Sequence, residues 1–200
     1  MPSRATRKKE GESFEISKAE ISKDVLTVPL TEGQVIKTSP GSLIYMRGDV
    51  KKGEVKVDGL GKAFGRIFSG QSFFLTSYTG GPNGGSVALS LAFPGDIIQI
   101  DLQPNESYRI SKGCFLAGTN NVEISATTQI KGIIGIGQEE GVILPVVKCK
   151  DGTGSGTVWL GGFGHFKMHQ LKIDETIIVD NGIFLACPNS FGLGVVVIIC

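Results

Sequence analysis

The sequence predicts an all-β protein built from three pseudo-symmetric repeats of sandwich or barrel type, the third cut short. Three observations carry that prediction. Apolar runs are short and rich in β-branched and aromatic residues. Turn residues separate them roughly every 8–12 positions, as in all-β chains. Glycine supplies 29 of 200 residues, about twice its average usage of ~7%. These glycines follow no three-residue period, which excludes collagen. A hydrophobic content of 40% with a net charge of +1 excludes a disordered chain.

Residues 1–24 read as a partly flexible N-terminal extension. Its Arg4, Arg7, Lys8, Lys9, Lys18 and Lys23 are offset by Glu10, Glu12, Glu15, Glu20 and Asp24, so it is no basic arm. The all-β domain is expected over 25–200. Strands are predicted at 25–30, 35–37, 42–46, 55–57, 72–76, 86–90 and 97–102, then at 114–117, 122–125, 142–147, 157–160 and 176–179. Each is bounded by Gly, Pro, Asn or Asp, and several alternate with period two, as in Val122-Glu123-Ile124. The best helical candidate, Lys62–Phe68, holds Gly65 and amounts to a turn or two.

A recurring block organises these strands. Ile36 to Tyr45, Tyr108 to Ala117 and Ile177 to Ala186 each read as apolar strand, polar turn, glycine, apolar strand. Their marker glycines Gly41, Gly113 and Gly182 recur at a nearly constant interval. Gly85-Ser-Val-Ala-Leu89 likewise matches Gly156-Thr-Val-Trp-Leu160. All five glycines are predicted to be structural turn residues, since glycine takes positive φ without a Cβ clash. The repeats are placed at about 33–104, 105–173 and 174–200. The third stops soon after its marker glycine, on Val195-Val-Val-Ile-Ile-Cys200, an uncharged strand expected to form a bare hydrophobic edge. Ile133–Ile136 is a second candidate assembly edge.

No catalytic constellation survives inspection. On a strand His165 and His169 would sit roughly 13 Å apart, too far to share a metal. Gly59-Leu-Gly-Lys-Ala63 lacks the hydroxyl of a phosphate loop. Glu139 and Glu140 are adjacent and face opposite ways on a strand, and Asp101 stands apart. Trp159, Phe68, Phe73 and Phe74 could stack bases, yet no basic residue interleaves with Phe73-Phe74, so core packing is favoured. No catalytic, cofactor-binding or metal residues are therefore expected. Cys114, Cys149, Cys187 and Cys200 show no CxxC spacing and are expected as reduced core thiols. No apolar leader precedes residue 13, and the longest uncharged apolar tail falls far short of the ~20 residues a membrane helix needs. A cytoplasmic protein is expected, with the mitochondrion as the alternative.

The motifs Thr38–Met46, Phe68–Leu75, Phe93–Ile98, Gly113–Ala117 and Gly154–Leu160 resemble a known family. It is named for altered inheritance of mitochondria in yeast and is also called the tryptophan RNA-binding attenuator protein-like family. The resemblance covers about 30–190. It implies three similar all-β units with pseudo-threefold symmetry, frequent trimers, and neither established catalytic residues nor an established ligand; the family's yeast member is linked to mitochondrial inner-membrane organisation, while its bacterial members are uncharacterised. The expectation is a non-catalytic β-repeat protein that acts through protein contacts and self-association, with a trimer as the guess. A small-molecule or RNA-binding module, by analogy with the attenuator protein, is the alternative, although the balanced charge makes nucleic acid an unfavoured partner.

Overall fold

The computed structural model describes residues 19–22, 24–56, 74–126, 144–172, 175–180, 182–189 and 195–199. Among them the fold is all-β, without a helix. The strands are β1 (Glu20–Ser22), β2 (Val25–Leu30), β3 (Val35–Thr38), β4 (Leu43–Lys56), β5 (Phe74–Ser90), β6 (Ile97–Leu102) and β7 (Ser107–Ile110). There follow β8 (Phe115–Thr119), β9 (Val122–Ala126), β10 (Pro145–Cys149), β11 (Gly156–Gly161), β12 (Phe166–Gln170), β13 (Phe184–Pro188) and β14 (Val195–Ile199). One eight-stranded sheet runs β1-β2-β5-β3-β8-β11-β6, with β4 also on β5, and a six-stranded sheet runs β12-β14-β13-β7-β10-β9. The helical candidate at 62–68 and the edge candidate at 133–136 lie outside the described residues.

Strand spacing recurs along the chain. The offset that takes Gly41 to Gly113 also takes β2 onto β6 and β3 onto β7, at both ends of each strand. The offset that takes Gly113 to Gly182 takes β8 onto β13. Pairing recurs as well. β5 lies between β2 and the first half of β4, through Leu30↔Gly85 and Met46↔Val87. β11 lies between β6 and β8, through Leu102↔Gly156 and Gly118↔Val158. β14 lies between β12 and β13, through Gln170↔Val195 and Ala186↔Val197. Each of these three-stranded blocks has the same order. In this order the blocks begin with β2, β6 and β12. Ile97–Leu102 has two counterparts in this order, Phe166–Gln170, which the sequence repeat indicates, and Val25–Leu30, which it does not.

Strand donation joins the blocks. β3 of the first block adds to β8 of the second, through Ile36↔Thr119, Lys37↔Gly118 and Thr38↔Ala117. β7 of the second adds to β13 of the third, through Arg109↔Cys187 and Ile110↔Ala186. The same two glycine offsets, the first for the donor and the second for the acceptor, carry one register onto the other. A single hydrogen bond beyond each ladder repeats too: the Ser39 N–H donates to the Leu116 carbonyl at 2.9 Å, and the Ser111 N–H to the Leu185 carbonyl at 2.7 Å.

Two packed clusters form the core. Leu26, Val28 and Leu30, the alternate residues of β2, meet Ile36, Tyr78, Val87, Leu89 and Trp159. Leu102, Ile110, Phe115, Val147, Val158, Leu160 and Leu185 form the other. Each such side chain contributes roughly 1.5–3 kcal/mol on leaving water.

Four expectations change. The strands predicted at 42–46 and 55–57 are one long strand, β4, and those at 72–76 and 86–90 are one long strand, β5. Gly48, at φ +81° beside a bulge, bends β4 instead of ending it. Residues 176–179 join no ladder among the described residues. β14 is no edge, since β12 and β13 pair with its two sides. The third block also has its middle strand. What it lacks is the counterpart of the β9–β10 hairpin, because only residues 189–194 separate β13 from β14 where 120–155 separate β8 from β11.

The five marker glycines divide. Gly41 and Gly113 take φ of +79° and +78° in tight turns with open space around them. Gly182 lies in a turn without positive φ, and its N–H donates to Asp180 Oδ1 at 2.8 Å. Gly85 and Gly156 are not turn residues but lie within strands β5 and β11. A Cβ on Gly85 would run into the Arg47 carbonyl oxygen, and one on Gly156 would stand 2.9 Å from both Asn121 Oδ1 and Thr119 Oγ1. Close approach explains these two. Gly113→Ala is expected to cost about 1–2 kcal/mol for a left-handed alanine, while Gly182→Ala leaves the melting temperature within about 1 °C of the parent, given ~2–4 °C per kcal/mol at this size. Thermal denaturation of the two variants side by side checks the contrast.

Candidate functional site

The best candidate for a site is an exposed apolar strand edge. In β8 both faces are covered: Phe115, Leu116, Ala117 and Thr119 are all buried. In β13, Leu185 and Ala186 are buried as well. The corresponding residues of β4 are Ile44, Tyr45 and Met46, and these are 49%, 50% and 47% exposed. The difference follows from the topology. β8 is flanked by β11 and β3, and β13 by β14 and β7, whereas the described strands give β4 only β5 as a partner. Three adjacent apolar side chains are thus half exposed, and no described strand pairs with the outer side of β4, a form of edge that proteins usually cover or charge.

Basic side chains stitch the two filled junctions. Lys37 Nζ donates to the Val122 carbonyl at 3.2 Å, and burial lowers its pKa against the opposing pull of Glu123. Arg109, buried at the equivalent place in β7, donates through Nε to Asn189 Oδ1 at 2.8 Å. Ile178 stands at the corresponding position of the third block.

A second feature gathers at one end of the sheets, where the loops after β5 and β11 meet. Gly95 bridges Gly164, and the Asp96 N–H donates to the Gly164 carbonyl at 2.9 Å. Phe93 and Phe163 meet with ring centroids 6.2 Å apart and planes tilted by 59°, both exposed. His165 Nδ1 lies 3.0 Å from Asp96 Oδ2 with the imidazole 87% exposed, a surface pair worth little in water.

The residues weighed for chemistry do not converge. His165 precedes β12 and His169 lies within it. Among the described residues no cluster of His, Cys, Asp and Glu could hold a metal ion. Trp159 is buried, and its Nε1–H donates to Gln99 Oε1 at 3.1 Å, so it packs the core. Phe74 is partly exposed at the start of β5. Asp101 is exposed and accepts from Gln99 Nε2 and Thr157 Oγ1. Glu139, Glu140, the 59–63 segment, Phe68, Phe73 and Cys200 lie outside the described residues. Cys114 and Cys149 are buried free thiols and Cys187 is half-buried. Ile44, Tyr45 and Met46 were missed as a surface because an unbroken apolar run reads as core. Its exposure depends on a strand missing elsewhere. No helix of the described residues is long and apolar enough to cross a membrane.

Comparison with known proteins bears on the fold. A family model described as "Mitochondrial biogenesis AIM24" matches residues 14–197. No curated protein matches the chain. The crystal structure of a protein from Streptococcus pyogenes is similar, with a TM-score of 0.66 and 24% identity over 92% of this chain and 93% of that one, a likeness of fold.

The buried thiols predict an alkaline weakness. Burial pushes Cys114 up from 9.0 to about 12, and its Sγ donates to the Ser111 carbonyl. The folded state thus keeps the thiol proton between about pH 9 and pH 12 while the unfolded chain releases it, so stability falls as pH rises through that window. One such group costs up to about 1.4 kcal/mol per pH unit. Burial raises Cys149, Cys187, Tyr78 and Tyr108 in the same direction. Urea denaturation from pH 8 to pH 11 is expected to show the decline, and Cys114→Ala is expected to flatten it.

Proposed function

The chain belongs to the mitochondrial biogenesis AIM24 family, and we propose that it is a non-catalytic β-repeat protein that works through protein contacts and self-association in the organisation of mitochondria or of membranes. One observation carries the reading. Ile44, Tyr45 and Met46 form an exposed apolar edge at a place where the equivalent strands β8 and β13 are covered. Unpaired strand edges bind other chains by adding a strand, in which backbone hydrogen bonds supply affinity and alternate side chains supply selectivity. The family's description names mitochondrial biogenesis.

Light scattering across a wide concentration range tests the reading. The expected mass is a multiple of that of one chain. Tyr45→Glu with Met46→Glu returns the protein to a single chain without unfolding it, because both side chains already meet water. A mass of one chain at every concentration overturns the proposal.

A further inference from the structure

We propose that the outer edge of β4 receives residues 176–179 of a second copy of this chain, in the register by which β3 meets β8 and β7 meets β13. The inference rests on the self-association reading and names its surface and partner.

The two internal junctions define the rule. In each, a short strand just before a marker turn pairs antiparallel with the strand just after the marker turn of the next block. Carried forward by the Gly113-to-Gly182 offset, β7 (Ser107–Ile110) maps onto 176–179, a segment predicted as a strand. Carried back by the Gly41-to-Gly113 offset, β8 (Phe115–Thr119) maps onto the first residues of β4. The third junction would then pair Ile177 with Arg47, Ile178 with Met46 and Val179 with Tyr45. The hydrogen bonds of Ser39 to Leu116 and of Ser111 to Leu185 would have their third instance from the Asp180 N–H to the Ile44 carbonyl.

Among the described residues both halves of this junction are present and unfilled. Among the described residues, 176–179 join no strand, and none of them donates or accepts a backbone hydrogen bond. Ile178 is 89% exposed. The chain's own segment therefore does not occupy its own β4 edge. The side chains also match. The filled junctions carry Lys37 and Arg109 at the central donor position, each satisfied by a polar group of the next block. The open donor carries Ile177, Ile178 and Val179, and the open acceptor carries Tyr45, Met46 and Arg47, so apolar meets apolar in two of the three pairs and Ile177 faces the stem of Arg47. A donor on one surface and an acceptor on another make the contact head-to-tail, which produces a closed ring or an open filament according to the rotation between copies.

Two measurements test the register. By the pattern of Ser39 and Lys37, the N–H groups of Ile178 and Asp180 point to the acceptor, which leaves Val179 and Tyr45 as a non-hydrogen-bonded pair with Cα atoms about 4.5 Å apart, a separation a disulfide spans. In a background with Cys187→Ser and Cys200→Ser, Val179→Cys and Tyr45→Cys variants are oxidised separately and mixed. The expected result is a disulfide-linked species of twice the chain mass from the mixture and none from either alone. Absence of that species overturns the register, and so does a double variant that cross-links only within one chain. In the second measurement Ile178→Pro removes the donated N–H from a segment that pairs with no described strand of its own chain. It is expected to abolish self-association with the melting temperature unchanged. Assembly that persists in Ile178→Pro leaves the self-association reading standing and overturns this partner. A wild-type chain that is monomeric at every concentration overturns both.

Discussion

The arrangement depends on one constraint: a strand from each block must complete the sheet of the next. The strand that follows each marker turn has a neighbour from its own block on one side, and its other side holds a row of N–H and C=O groups that need partners. β3 supplies them for β8 and β7 for β13. Because side chains alternate along a strand, a slip of one residue would turn Ile36 and Thr38 out of the core and drive Lys37 into it. The repeated register is therefore enforced by burial as much as by hydrogen bonding. It also fixes where a cation can sit. Lys37 and Arg109 occupy the same position, lay their stems against the next block, and find a carbonyl and a side-chain amide there. The burial that lowers the pKa of Lys37 is the cost of reaching across that junction.

Much of this was legible in the residues. The strand at 25–30 and its partner at 97–102 have the boundaries that composition indicates, and Gly41 and Gly113 have the positive φ that a tight turn demands. The misreadings share a cause. A glycine announces either a turn or a close approach, and the sequence does not separate the two. Gly85 and Gly156 sit inside strands because neighbouring atoms crowd the place of a Cβ. Gly48 bends β4 without stopping it, so two expected strands are one. At Gly182 the preceding Asp180 carboxylate takes the turn N–H, and a left-handed glycine is not needed. The apolar run 43–46 was legible as strand but not as surface, because its exposure depends on which strands the rest of the chain brings alongside it.

The missing hairpin and the open edge have one origin. In the first block β3 lies between β8 and the first half of β5, and in the second β7 lies between β13 and β10. Each donor strand is thus held on both sides, by the next block and by the hairpin of its own. The third block passes from β13 to β14 through 189–194 and has no room for that hairpin. Among the described residues 176–179 has no strand on either side, and so short a segment alone cannot persist as a strand in water. Without that donor, no described strand lies on the outer side of β4, and Ile44, Tyr45 and Met46 remain exposed. A single internal shortening therefore accounts both for the unpaired donor and for the uncovered acceptor. It leaves the two in the same chain with the register for their pairing already written twice in its own sheets.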